Sequence, residues 1–101
     1  MRMCTLMLVA AALISQSVRA EDLTVLYKAK CQVCHGEDGK GHTPMGGKLA
    51  VRSFRSPEIL KLPDAVLIQC ITKGRNKMPA YDKQLTPEQI EGLVKYLRAL
   101  K

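Results

Sequence analysis

Cys31-Gln32-Val33-Cys34-His35 is the stretch whose reading decides how this chain folds and what it holds. Two thiols separated by two residues stand on successive turns of chain, so both can add to vinyl groups of one porphyrin. The histidine that follows is then carried beneath the ring toward its iron. The C-x-x-C-H spacing therefore predicts one covalently attached haem c, anchored by Cys31 and Cys34 with His35 as an iron ligand. The ligating form is the neutral imidazole, held in orientation by a hydrogen bond from its other ring nitrogen. Three other chemistries fit less well. A thioredoxin-type redox pair wants a β-α-β pattern, and no stretch of this chain alternates with period two for long enough to make a strand. A zinc site built from Cys31, Cys34, His42 and Cys70 would have to leave His35 aside or strain adjacent residues onto one tetrahedron. A Cys31–Cys34 disulfide would close too small a loop to stabilise much.

Outward from the motif, 101 residues make one small domain. A domain of this size buries only about 60% of the surface its unfolded chain exposes, and it usually needs a covalent or cofactor staple. Aromatic residues are 4% of the chain, with one Phe and no Trp, so large rings cannot fill the core. A bonded apolar macrocycle supplies the missing volume. With 47% hydrophobic and 25% charged residues the composition is that of a globular protein, which excludes a disordered tail or a collagen-like chain.

Residues 1–20 read as a signal peptide. Arg2 gives a basic start, an apolar run extends from Met3 to Ile14, and Val18-Arg19-Ala20 places cleavage after Ala20. The run is shorter than the roughly 20 residues a membrane span needs, and Cys4 stands at its start, where lipidation does not occur, and not after it. The mature domain, residues 21–101, is therefore expected outside the cytoplasm, without stable membrane insertion, in a compartment that oxidises thiols. The chain carries a net charge of +7, of which Arg2 and Arg19 leave with the leader. In an exported protein the remaining excess favours steering onto acidic protein surfaces over binding nucleic acid.

The mature chain reads as all-α, about four short helices. Asp22 and Thr24 open a helix over residues 22–33, with Leu23, Leu26, Tyr27 and Lys30 on one face. Six glycine and proline positions between residues 36 and 47 predict a long loop. Ser56-Pro57-Glu58 caps a short turn running to Lys61, and Pro63-Asp64 begins a helix to Lys73 that Gly74 ends, with Leu67, Cys70 and Ile71 on its buried side. Thr86 caps the last helix, Gln89 completes a capping box, and Ile90, Leu93, Leu97 and Leu100 form its apolar stripe.

The sixth iron position needs a second ligand. His42 is the only other histidine, and its glycine-rich loop would have to cross the haem within a few residues. Met45 is close to His35 in sequence and reads as loop packing. Met78 lies far enough along for intervening helices to wrap the ring. It stands in Gly74-Arg75-Asn76-Lys77-Met78-Pro79-Ala80-Tyr81, a polar turn where a methionine has no packing reason to be. His/Met axial ligation by His35 and Met78 is the expectation.

Taken together, Cys31 to Gly36, Asp38-Gly39-Lys40-Gly41, the turn around Met78-Pro79 and Val94-Lys95-Tyr96-Leu97 resemble the class I c-type cytochromes, in particular the small bacterial single-haem members. The resemblance covers essentially all of the mature chain. It implies a small cytochrome c fold wrapped around one haem, with thioethers at Cys31 and Cys34, His35 as proximal ligand and Met78 as distal ligand. It also implies that the Pro44 carbonyl accepts the His35 ring hydrogen bond, that the first and last helices cross near Tyr27 and Tyr96, and that Asn76 lies near the methionine sulfur. With both axial positions filled, iron can change oxidation state but offers no open site, so the expected role is single-electron carriage in the periplasm and not enzymatic catalysis. A monomer would meet acidic redox proteins in brief encounters through bases such as Lys28, Lys48, Arg52, Arg75, Lys77 and Lys83. The rival readings are a small peroxidase-like haem enzyme or sensor in which Met78 dissociates, and a binding module without redox work. Cys70 is expected to be a small buried hydrophobe.

Overall fold

A computed structural model describes residues 20–101. Cys4, the apolar run and the rest of the expected leader up to Arg19 lie outside the described residues. Among those described, six helices and no strand are present: α1 (Ala20–Lys30), α2 (Gln32–His35), α3 (Pro44–Lys48), α4 (Pro57–Leu60), α5 (Asp64–Lys73) and α6 (Pro87–Ala99). None of them is long and apolar enough to cross a membrane.

The long elements follow their caps and stripes. Thr86 accepts from the Gln89 N–H at 3.2 Å while the Gln89 side chain accepts from the Thr86 N–H at 2.8 Å, closing the capping box with Pro87 in the first turn. Down α6, Ile90, Leu93 and Val94 are 1–2% exposed. They form the centre of one core with Tyr27 of α1, Leu67 and Ile71 of α5, Leu85 and Leu97. Each of these side chains stabilises the fold by roughly 1.5–3 kcal/mol through the apolar area it removes from water. The helices α1 and α6 cross closely: Gly92 leaves room for Leu23, since a Cβ there would sit 2.8 Å from its Cδ2. At the same crossing Tyr27 and Tyr96 pack with ring centroids 5.1 Å apart, as the resemblance implied.

Three local expectations change. The helix expected over 22–33 stops at Lys30, because Cys31 adopts φ −117° and restarts the chain as the single turn α2. The loop expected over 36–47 ends early, because Thr43 caps Pro44 and Gly46 donates its N–H to the Thr43 hydroxyl, so α3 forms despite two glycines. Ser56 makes no side-chain cap on α4; its hydroxyl donates back to the Ser53 carbonyl at 2.8 Å. A fourth change concerns Cys70. It is half-buried, lining a surface depression with Val66, Gln69, Lys73, Gly74 and Arg75, because the register of α5 turns Leu67 and Ile71 to the core and brings Cys70 toward its margin.

Candidate functional site

The helix α1 delivers the first thiol. The Cys31 N–H donates to the Tyr27 carbonyl at 2.9 Å, and the Cys31 carbonyl accepts from the N–H groups of Cys34 at 3.3 Å and His35 at 3.0 Å. Cys31 is therefore the hinge between two turns, with Cys34 and His35 one turn further on. All three described cysteines are free thiols. Burial pushes the Cys31 thiol up to about 11, with Lys30 pulling against the rise and Cys34 adding to it. At neutral pH it stays protonated, which slows the thiolate chemistry that forms disulfides.

His35 closes α2. Burial lowers its imidazole below the ordinary 6.5, so the neutral, ligating form prevails at physiological pH. Its ring stacks on Phe54 with centroids 4.7 Å apart and planes at 24°. Its Nδ1 is buried and has no hydrogen-bond partner. The Pro44 carbonyl that the resemblance implied as acceptor makes no such bond. Pro44 instead opens α3, and it is Thr43 that meets the motif. The Thr43 hydroxyl donates to the Val33 carbonyl at 2.7 Å, with the Cys34 carbonyl at 3.2 Å, and accepts from the Gly46 N–H at 2.8 Å. Gly46 lies so close beneath the motif that a Cβ would overlap the carbonyl oxygens of Cys34 and Gly41. From the other side the buried Tyr27 hydroxyl donates to the Gly36 carbonyl at 2.6 Å. The motif's backbone is thus pinned before, within and after its histidine.

Met78 is placed by a hairpin at the end of α5. Gly74 adopts φ +75°, and a Cβ there would stand 2.7 Å from the Met78 carbonyl and 2.9 Å from the Ala80 nitrogen. Arg75 and Met78 exchange both backbone hydrogen bonds, at 3.1 and 2.9 Å. The N–H groups of Tyr81 and Asp82 then satisfy the Ile71 and Thr72 carbonyls, two acceptors that the helix end leaves open. Met78 itself is half-buried against the core cluster that Cys31 also joins. The remaining candidates stay apart. His42 is exposed, Met45 is 42% exposed on α3 instead of packed, and Asn76 is an exposed turn-tip residue with φ +54°. Lys28, Lys48, Arg52, Arg75, Lys77 and Lys83 are all exposed.

Reasoning from the sequence missed Phe54, Thr43 and Tyr81. Phe54 carried a faint signal, as the lone Phe of an aromatic-poor chain, and Thr43-Pro44 is a helix-start pair hidden by its glycines. Tyr81 carried none beyond its nearness to Met78.

Two free thiols one turn apart, beside a neutral imidazole whose buried nitrogen lacks a partner, fit the thioether anchors and nitrogen ligand of a c-type haem. A family model described as cytochrome c oxidase, cbb3-type, subunit III matches residues 18–97. The chain belongs to this family of c-type cytochromes. Its cofactor is haem c, covalently attached. The cytochrome is 34% identical over 76 residues to the cbb3-type cytochrome c oxidase subunit FixP of Azorhizobium caulinodans, an alignment covering 74% of this chain and 25% of that protein. It is 35% identical over 74 residues to cytochrome c6 of Rippkaea orientalis, covering 73% of this chain and 64% of that one. Among solved structures it superposes on the KustC0563 c-type cytochrome with TM-score 0.70 and 35% identity, covering 77% of this chain and 95% of that one. The cytochrome thus spans about a quarter of the oxidase subunit and under two thirds of the cytochrome c6.

Proposed function

We propose that this cytochrome is a periplasmic single-electron carrier, in which Cys31 and Cys34 would hold the haem through thioethers and His35 and Met78 would supply the nitrogen and sulfur ligands of its iron. The observation that carries the reading is the burial of Met78. In the turn from Arg75 to Ala80 every other residue is exposed, yet Met78 packs half-buried on the core. A thioether turned inward from a polar turn is the donor expected of a closed, six-coordinate site. When bound, the haem supplies one-electron chemistry. The residues of the chain hold the thioether and the neutral imidazole in place, and with both bound to iron no coordination position would remain for substrate. Likeness to a cytochrome c6 and to an oxidase subunit supports carriage between redox proteins over catalysis.

Residues 1–20 act as the export signal, with cleavage after Ala20. The exposed bases Lys28, Lys48, Arg52, Arg75, Lys77 and Lys83 steer the monomer onto acidic redox partners in short-lived encounters. Exposing the dithionite-reduced holoprotein to carbon monoxide tests the closed site. The absorption spectrum is expected to stay unchanged, and ready formation of a carbonyl complex would show an open iron and refute the carrier reading.

A further inference from the structure

The turn that bears Met78 is tied across the molecule to the segment that bears Cys31. The Tyr81 hydroxyl donates to the Lys30 carbonyl at 3.1 Å, a contact spanning 51 residues of sequence. The acceptor is the last residue of α1, where the helix leaves carbonyls without intrahelical partners, and the next residue is the first cysteine of the motif. A second bond joins the same two segments, from Lys30 Nζ to Gln84 Oε1 at 3.0 Å. On its own side Tyr81 is fixed by its N–H to the Ile71 carbonyl at 3.0 Å, and its carbonyl accepts from the N–H groups of Gln84 at 3.0 Å and Leu85 at 2.9 Å. Its half-buried ring packs against the core.

We infer that Tyr81 is a positioning residue for the distal ligand: its hydroxyl, bonded to the Lys30 carbonyl, holds the Met78 turn in register with the thioether segment. The inference rests on Met78 being that ligand. Two residues, Pro79 and Ala80, separate Met78 from Tyr81, so a displacement of the turn that would carry the sulfur off the metal must stretch or break the bond to Lys30. Among the described residues, the backbone hydrogen bonds that tie the hairpin to a helix go to the end of α5. The part-buried tyrosine bond, with the exposed Lys30–Gln84 bond beside it, joins the hairpin to the segment that carries Cys31. Gain or loss of the sulfur therefore couples to a hydroxyl that never touches it. Loss of one partly buried hydrogen bond of this kind is worth a three- to tenfold change, roughly, in an equilibrium that breaks it.

The test is imidazole titration of the ferric holoprotein, following loss of the far-red thioether-to-iron band, in wild type, Tyr81→Phe, Gln84→Ala, Thr86→Ala and Met78→Ala. Tyr81→Phe is expected to bind imidazole about three- to tenfold more tightly than wild type, and Gln84→Ala about twofold more tightly, by roughly the worth of each lost bond. Thr86→Ala weakens the cap of α6 and lowers the melting temperature without touching either axial segment, so its imidazole affinity is expected to match wild type. An affinity in Tyr81→Phe no higher than in Thr86→Ala overturns the role of Tyr81. Should Tyr81→Phe not mature, Tyr81→Leu, which also removes the hydroxyl, takes its place, and an affinity no higher than in Thr86→Ala overturns the role in the same way. Failure of the underlying ligand assignment looks different, because the far-red band would then survive in Met78→Ala.

Discussion

The hydroxyl of Tyr27 shows how much one atom governs at this site. The ring is 2% exposed, and its O–H donates to the carbonyl of Gly36, the residue that follows His35. Tyr27→Phe leaves that carbonyl without its partner and is expected to cost about 1.5 kcal/mol in chemical denaturation of the holoprotein. Burial, first, and the nearby Cys31, Tyr96 and Asp38 raise the Tyr27 phenol well above its ordinary 10.0. The unfolded chain therefore releases this proton at lower pH than the folded one. The contribution is complete below pH 10 and fades as pH rises beyond it, and the phenylalanine variant is expected to lose stability less steeply there. Gly46 makes the opposite argument, from space. A methyl group at this position meets the carbonyl oxygens of Cys34 and Gly41, so Gly46→Ala must push the motif away from α3. It is expected to lower the melting temperature and the yield of haem-loaded protein together, by the 1–3 kcal/mol typical of overpacking. Unchanged yield and stability would show that the backbone yields there without consequence.

Among the elements, α6 could be read from the sequence because cap and stripe agree, and α5 because its proline start and glycine stop bound it. Thr86, Pro87 and Gln89 open α6, its apolar residues recur at helical spacing, and Gly74 ends α5. Thr86→Ala is expected to cost about 1 kcal/mol of stability in thermal unfolding, with the haem spectrum untouched. The first helix could be read only in part. Periodicity gave Leu23, Leu26 and Tyr27, but the break at Cys31 depends on a local backbone change that spacing does not carry. The turn α3 was hidden by composition, since Gly46 and Gly47 argue against a helix while the cap from Thr43 and close packing under the motif impose one. Of the site itself, Cys31, Cys34, His35 and Met78 stand out because their chemistry is uncommon for their surroundings. Thr43, Phe54 and Tyr81 act through contacts between distant segments, which only the folded chain brings together. The place of Cys70 at the edge of the core is of the same kind, since helical phase alone left it on the buried side.

At the scale of the whole molecule, two short elements and a hairpin depend on one central helix crossing. α1 packs on α6 through Tyr27, Tyr96 and Gly92, α5 closes over the same core, and the ends of α1 and α5 present the attachment motif and the methionine turn. The core is thin in aromatics, and Cys31 and Met78, the cysteine and methionine of the proposed ligation scheme, pack half-buried against it. That arrangement makes the cofactor a part of the fold as well as its function. The most direct measurement is the ferric absorption spectrum of the native, purified holoprotein beside that of Met78→Ala, with acid–acetone extraction of a separate sample of each. The account predicts that haem stays with the protein in both, and that the far-red thioether band is present in wild type and absent in the variant. Extraction of the haem, or a band that persists without Met78, would contradict it.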